Sequence, residues 1–179
     1  MVLPNMSSLS LARPEEILLP ARPWFIVFTL IAGLLANLVP LSGVALALRP
    51  DFLALVLLYW CIQSPRYVGV GVAWCVGIVM DVGDGTLFGQ HAFAYAFLAY
   101  AAEYFRRRVL RFPLWQQAAQ VAVLLFLCAA LVLLIRFVGG AQLPRWSYAA
   151  PPFVGALLWP VISVVLQWPQ RPRQSSSEL

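Results

Sequence analysis

The chain has 179 residues, of which 62% are hydrophobic and only 11% are charged, and its formal net charge at pH 7 is +5. Because a soluble domain typically carries about 25% charged residues, this composition excludes a soluble globule, and it equally excludes a disordered or collagen-like chain. The apolar runs are long enough for helical membrane spans, and the alternating segments that a transmembrane barrel needs are absent from the sequence.

The chain divides into three parts. Residues 1–23 are polar and interrupted by prolines, without a continuous apolar stretch, so we predict a cytoplasmic arm and no cleavable signal peptide. Residues 24–168 form the predicted transmembrane domain, and residues 169–179, rich in Pro, Gln and Ser, a disordered tail. The fold is predicted to be all-α, a polytopic bundle of six transmembrane helices. The predicted spans are 24–40, 50–62, 67–82, 86–105, 113–138 and 149–168, of which the second is short for a bilayer unless residues 44–48 extend it outward.

The basic residues indicate orientation. All twelve are Arg, and with six alternating spans nine fall on the side of the termini and three on the other. Cytoplasmic loops are enriched in basic residues, so we predict that both termini are cytoplasmic. This role accounts for the positive charge, and we predict no nucleic-acid partner. Residues 106–108, together with Arg111, also have the charge needed to bind anionic membrane lipid.

A group of polar residues is predicted at the outer side of the membrane. Arg49 and Asp51 flank Pro50 at the start of the second span, Asp81 lies at the end of the third, and His91 lies in the fourth. Two carboxylates and a His are able to bind a metal ion or relay protons. The alternative is a structural cluster of ion pairs and hydrogen bonds that fixes helix ends. The chain has a single His and no nucleophile–base motif, so we favour the structural interpretation and predict no catalytic, cofactor-binding or metal-binding residue.

Small residues recur every fourth position in the third span, at Gly69, Ala73 and Gly77, and the same row reaches Asp81. This spacing lets helix backbones approach closely. Packing within the bundle and packing against a partner helix both use such rows. We hold this row as a candidate partner-packing surface and leave both roles open.

Four short motifs occur in order along the membrane region, and together they resemble the MreD family of rod shape-determining proteins over about residues 24–168. They are Arg49-Pro50-Asp51 leading to Leu57-Leu58-Tyr59-Trp60; Gly77-Ile78-Val79-Met80-Asp81 running on to Gly85, Gly89 and His91; Leu114-Trp115-Gln116-Gln117-Ala118; and Gly155-Ala156-Leu157-Leu158-Trp159-Pro160.

The resemblance implies a non-enzymatic subunit of the cell-elongation (rod) complex in the bacterial inner membrane, without a cofactor. Members of the family associate with MreC, a bitopic protein with a periplasmic coiled coil. Through MreC they connect to MreB filaments and to the peptidoglycan polymerase and transpeptidase of the lateral wall, and so help to regulate cell shape.

In its six-helix architecture the family also resembles the substrate-capturing subunits of energy-coupling-factor vitamin transporters. The alternative function is therefore that of a substrate-binding membrane subunit of a small-molecule transporter. An enzyme acting on lipid or peptide bonds is a third class. It needs a nucleophile–base pair or a metal site, and a chain with one His has little from which to assemble either. The molecules that copurify in detergent distinguish the three: a bitopic partner with wall synthases, a vitamin, or a processed substrate.

Overall fold

The computed structural model describes residues 22–85, 87–140 and 149–170. The predicted N-terminal arm, residues 1–23, and the predicted disordered tail, residues 169–179, lie almost wholly outside the described residues. Most of the loop before the sixth predicted span lies outside them as well.

Every regular element in these described ranges is helical, and they contain no strand. The helices are α1 (Pro23–Leu38), α2 (Val44–Leu48), α3 (Phe52–Gln63), α4 (Val70–Asp84), α5 (Gln90–Val109), α6 (Leu114–Val138) and α7 (Ala150–Gln167), followed by a 3₁₀ turn (Trp168–Gln170).

The second predicted span is interrupted at Pro50. Proline disfavours the helical conformation of the residue before it, and Arg49 is accordingly extended, with φ −62° and ψ 114°. The interruption separates α2 from α3, which together occupy the place of one span. With α2 and α3 taken as one broken segment, the predicted all-α bundle of six helices is confirmed.

Three helical segments of the described residues are long and apolar enough to cross a membrane: Val44–Gln63 across the α2–α3 break, α6, and Ala150–Gln170. Helix α1 is equally apolar but has only 16 residues. Large apolar side chains are exposed on the outside of the bundle, among them Phe28, Val79 and Leu134. Such a surface is typical of a bundle that faces lipid.

Helix α3 lies at the centre of the bundle. All ten residues from Leu53 to Ile62 are buried, and α3 contacts α1, α5 and α7. A helix that is apolar on every side is expected to be enclosed by others. Close approach by α1 depends on Gly33, where a Cβ atom would lie 3.3 Å from the Cα of Leu53.

The two ends of the bundle differ in chemistry. At one end α1, α4 and α6 finish and α3, α5 and α7 begin; we call it the polar end, because Asp51, Asp81 and His91 lie there. At the other end α3 and α5 finish and α6 begins; we call it the arginine end, because residues 106–108 and Arg111 lie there.

Candidate functional site

Asp51 joins three helices at the polar end. It is the N-cap of α3, where its Oδ1 accepts a hydrogen bond from the backbone N–H of Ala54 at 2.9 Å. The same oxygen accepts from Asn37 Nδ2 of α1 at 2.7 Å, and Oδ2 accepts from the Tyr95 hydroxyl of α5 at 2.7 Å. The Asn37 carbonyl oxygen in turn accepts from the Phe52 N–H at 2.9 Å. One carboxylate therefore fixes the start of α3 relative to α1 and α5.

Asp81, near the end of α4, holds the beginning of α5. Asp81 is buried, with 1% of the residue exposed. Oδ2 accepts from the backbone N–H groups of Gly89 at 2.9 Å and Ala92 at 3.3 Å, while Oδ1 accepts from the N–H of His91 at 2.8 Å. The first N–H groups of a helix have no partner within it and favour a negative charge. Since α5 begins with a Gly N-cap that has no side chain, Asp81 caps α5 from the neighbouring helix.

His91 and Arg49 complete the predicted group. The His91 Nδ1 atom lies 2.8 Å from Asp81 Oδ1, and its ring is 5.7 Å from that of Tyr95. Arg49 Nη1 donates to the backbone carbonyl of Val39 at 3.0 Å, which links the segment before α3 to the end of α1. All four predicted residues thus lie at the polar end. Asp81 and His91 contact each other, whereas Asp51 and Arg49 bind other groups.

The residues Asn37, Tyr95, Gln90 and Arg136 extend this network beyond the four predicted ones. Arg136 of α6 donates through Nε to Gln90 Oε1 at 3.0 Å and so ties α6 to α5. Asn37 is detectable in the sequence as a polar residue at the end of an apolar span. Tyr95 gives no such signal, because its partner is 44 positions away in the chain.

A cavity of about 190 Å³ opens among these side chains. Six polar residues line it together with an apolar wall from α3, α4, α6 and α7. The polar lining consists of Asn37, Arg49, Asp51, Asp84, His91 and Arg136, and the apolar lining includes Ala54, Met80, Leu125, Cys128, Val132 and Pro152. Within the described residues, no three His, Cys, Asp or Glu side chains are grouped so that they could hold a metal ion.

The predicted row of small residues lies between α4 and α5. Ala73 is fully buried, and a Cβ atom on Gly77 would come within 2.6 Å of the Ala92 backbone nitrogen. At Gly69 a Cβ would lie 3.1 Å from the Glu103 carboxylate. Of the two roles considered for this row, these contacts support packing within the bundle, because the row is occupied by the chain's own helix α5.

The family model described as rod shape-determining protein MreD matches residues 21–168. That range contains all seven helices and both ends of the bundle. The chain belongs to the MreD family.

Its similarity to a known MreD supports the same conclusion. The rod shape-determining protein MreD of Haemophilus influenzae is 28% identical to this chain over 147 residues, which cover 80% of this chain and 90% of that protein. No solved structure shows a significant match. MreD membership supports a role in rod shape determination, and MreD is a family of shape-determining structural proteins, not a known family of enzymes. The three apolar helices and MreD membership together fit a membrane protein.

Proposed function

We propose that the protein is a non-enzymatic scaffold subunit of the cell-elongation complex in the bacterial inner membrane. In this role it binds MreC and, through MreC, helps to place lateral peptidoglycan synthesis under the control of MreB. The observation that carries the proposal is the family match over residues 21–168, which covers the whole described bundle.

The chemistry of the polar end is consistent with a scaffold. Asp51 and Asp81 are both engaged by donors from the protein, and their partners are helix ends and side chains of neighbouring helices. A carboxylate saturated in this way holds helices together and is poorly placed to take a proton from a substrate. The polar end therefore provides rigidity, which a docking subunit needs.

We propose that the arginine end faces the cytoplasm and the polar end the periplasm. The distribution of nine Arg on the side of the termini against three on the other supports this orientation. Reporter fusions after residue 179 and within residues 141–148 should report opposite compartments, the first cytoplasmic. A periplasmic report from the C-terminal fusion would overturn the orientation.

Binding to MreC is tested by copurification. The tagged protein, extracted in mild detergent from its own bacterium, should retain a bitopic protein with a periplasmic coiled coil, together with wall synthases. An unrelated six-span membrane protein with the same tag is the control. If mass spectrometry finds the same proteins with both baits, the scaffold role in this complex is contradicted.

The second candidate is a substrate-binding subunit of a small-molecule transporter, for which the cavity at the polar end would be the binding site. Its volume of about 190 Å³ is below the roughly 300–1,000 Å³ of typical small-molecule sites. A vitamin-sized ligand therefore needs more room than the described residues leave. Retention of a vitamin by the purified protein would favour the transporter role over the scaffold role.

A further inference from the structure

Some of the charged side chains that line the cavity at the polar end have donors or acceptors that are not engaged in hydrogen bonds with other described residues. Asp84, which lines the cavity from the end of α4, is exposed and makes no hydrogen bond or ion pair with any other described residue. Asp51 lines the same cavity, but three donors from α1, α3 and α5 already engage its two oxygens. The carboxylate available to a ligand is therefore that of Asp84.

His91 offers a second acceptor in the same cavity. Its Nδ1 lies 2.8 Å from the Asp81 carboxylate, and an oxygen at that distance accepts the hydrogen on Nδ1. In a neutral imidazole the other ring nitrogen, Nε2, is then the acceptor. Asp81 thus fixes the orientation of the ring, and the neutral tautomer presents Nε2 as an acceptor. Two acceptors, one of them anionic, suit a primary ammonium group with its three N–H donors.

Arg49 supplies the opposite chemistry. A guanidinium group has five N–H donors, and the described contacts of Arg49 use one of them, to the Val39 carbonyl. The remaining donors are suited to an oxyanion, which forms charge-assisted hydrogen bonds with Arg. Arg136 brings a second positive charge to the lining.

We propose that this cavity binds a compact zwitterion, in which a phosphate or carboxylate is separated from a primary ammonium by a short apolar linker. The oxyanion binds Arg49, the ammonium lies between Asp84 and His91, and the linker contacts the apolar wall at Met80 and Leu125. The charges of the two Arg and two Asp side chains in the lining sum to zero. A lining without net charge favours a zwitterion over a ligand with a net charge. The volume of about 190 Å³ is sufficient for a group of this size.

Two sources supply this chemistry, namely a free solute such as an amino acid and the head group of phosphatidylethanolamine. The inference concerns the cavity alone and does not depend on the role of the protein in the rod complex. Its failure would leave the scaffold proposal intact, and loss of MreC copurification would leave the zwitterion site intact.

The experiment measures thermal unfolding of the intact protein in detergent with phosphoethanolamine, phosphocholine or alanine added at millimolar concentration. Phosphoethanolamine should raise the unfolding temperature and phosphocholine should not, because its quaternary ammonium has no N–H to donate. The variant Asp84→Asn should weaken phosphoethanolamine binding about tenfold, while the unfolding temperature of the lipid-free protein without ligand stays unchanged. The control Arg107→Gln, at the other end of the bundle, should bind as the parent does.

The source of the zwitterion is identified in a second arm. Native mass spectrometry of the protein extracted from membranes should show bound phosphatidylethanolamine, lost in Asp84→Asn, if the head group is the ligand. Stabilisation by alanine without retained lipid identifies a free solute. Equal stabilisation by phosphocholine and phosphoethanolamine, or binding that survives Asp84→Asn, would overturn the proposal. So would the absence of both stabilisation and retained lipid.

Discussion

The two ends of the bundle use charge in opposite ways. At the polar end, the carboxylates of Asp51 and Asp81 are enclosed by donors from neighbouring helices. At the arginine end, Arg107 and Arg108 are exposed and make no hydrogen bond or ion pair with other described residues. Charge therefore holds helices together at one end and meets solvent or lipid head groups at the other. Substitutions at the polar end should accordingly destabilise the protein far more than substitutions at the arginine end.

The largest effect is expected from Asp81→Asn, because the cap of α5 loses its charge and one acceptor oxygen. Whichever oxygen becomes the amide NH₂, two of its N–H donors lose their acceptor, at about 2 kcal/mol each or about 4 kcal/mol in free energy of unfolding. We expect a lower yield and a lower unfolding temperature in detergent. The matched control is Asp84→Asn, three residues later in the same helix but exposed, which should unfold as the parent does when both proteins are free of lipid and added ligand. Equal stability of the two variants would show that the polar end is not held by its carboxylates.

A somewhat smaller loss is expected from Gly77→Ala, which adds a methyl group against the backbone of α5 near Ala92. The contact is with backbone and not with a flexible side chain. We therefore expect a loss of about 3 kcal/mol in free energy of unfolding, which is at the upper end of the range for overpacked sites. Gly71→Ala is the matched control in α4, since a Cβ there meets nothing within 4 Å. It should stabilise the helix by up to about 1 kcal/mol. If the Gly77→Ala and Gly71→Ala variants were equally stable in thermal unfolding, the close approach of α4 to α5 at Gly77 would be contradicted.

Removing one hydroxyl group at the polar end should have a moderate effect. Tyr95→Phe deletes the hydrogen bond to Asp51 Oδ2 and leaves that part-buried oxygen without this donor, at a cost of about 1.5 kcal/mol. Tyr100→Phe, on the same helix but 61% exposed, should change the free energy of unfolding by less than about 0.5 kcal/mol. The prediction fails if the two variants have the same denaturation midpoint.

The smallest effect is expected at the arginine end. Arg107→Gln should change the free energy of unfolding by less than about 0.5 kcal/mol, because the side chain is exposed. Its neighbour Arg106 is different: Nε donates to the Ile62 carbonyl at 2.5 Å and ties α5 to α3. Arg106→Gln should therefore cost about 1 kcal/mol. A loss at Arg107 as large as that at Arg106 would contradict the division between the two ends.

Hydropathy and turn residues were sufficient to predict the helices. The predicted second span, 50–62, was too short for a bilayer unless residues 44–48 extended it, and the structure has α2 there, separated from α3 by the break at Pro50. The position of α3 at the centre of the bundle was not predicted. Its residues are apolar on every side, so no stripe in the sequence distinguishes the faces that contact α1, α5 and α7.

The polar residues were easier to find than their partners. Asp51, Asp81 and His91 stand out because charged residues next to apolar runs are rare, and the structure places them together at the polar end. The cap that Asp81 provides depends on a left-handed Gly89, with φ +94°, which turns the chain so that the first N–H groups of α5 meet the carboxylate. Such a contact across a turn is set by three-dimensional geometry, which residue spacing alone does not contain.

The enclosure of α3 has a consequence for how the protein is made. Twelve residues of helix are about 18 Å long, well short of the roughly 30 Å hydrocarbon layer, so α3 is a poor candidate for release into the bilayer by itself. One of its neighbours, α7, comes last among the described α-helices and leaves the ribosome after them. The enclosure of α3 is therefore completed only after α7 has been made. A nascent chain that stops after α6 therefore leaves uncovered the side of α3 that packs against α7.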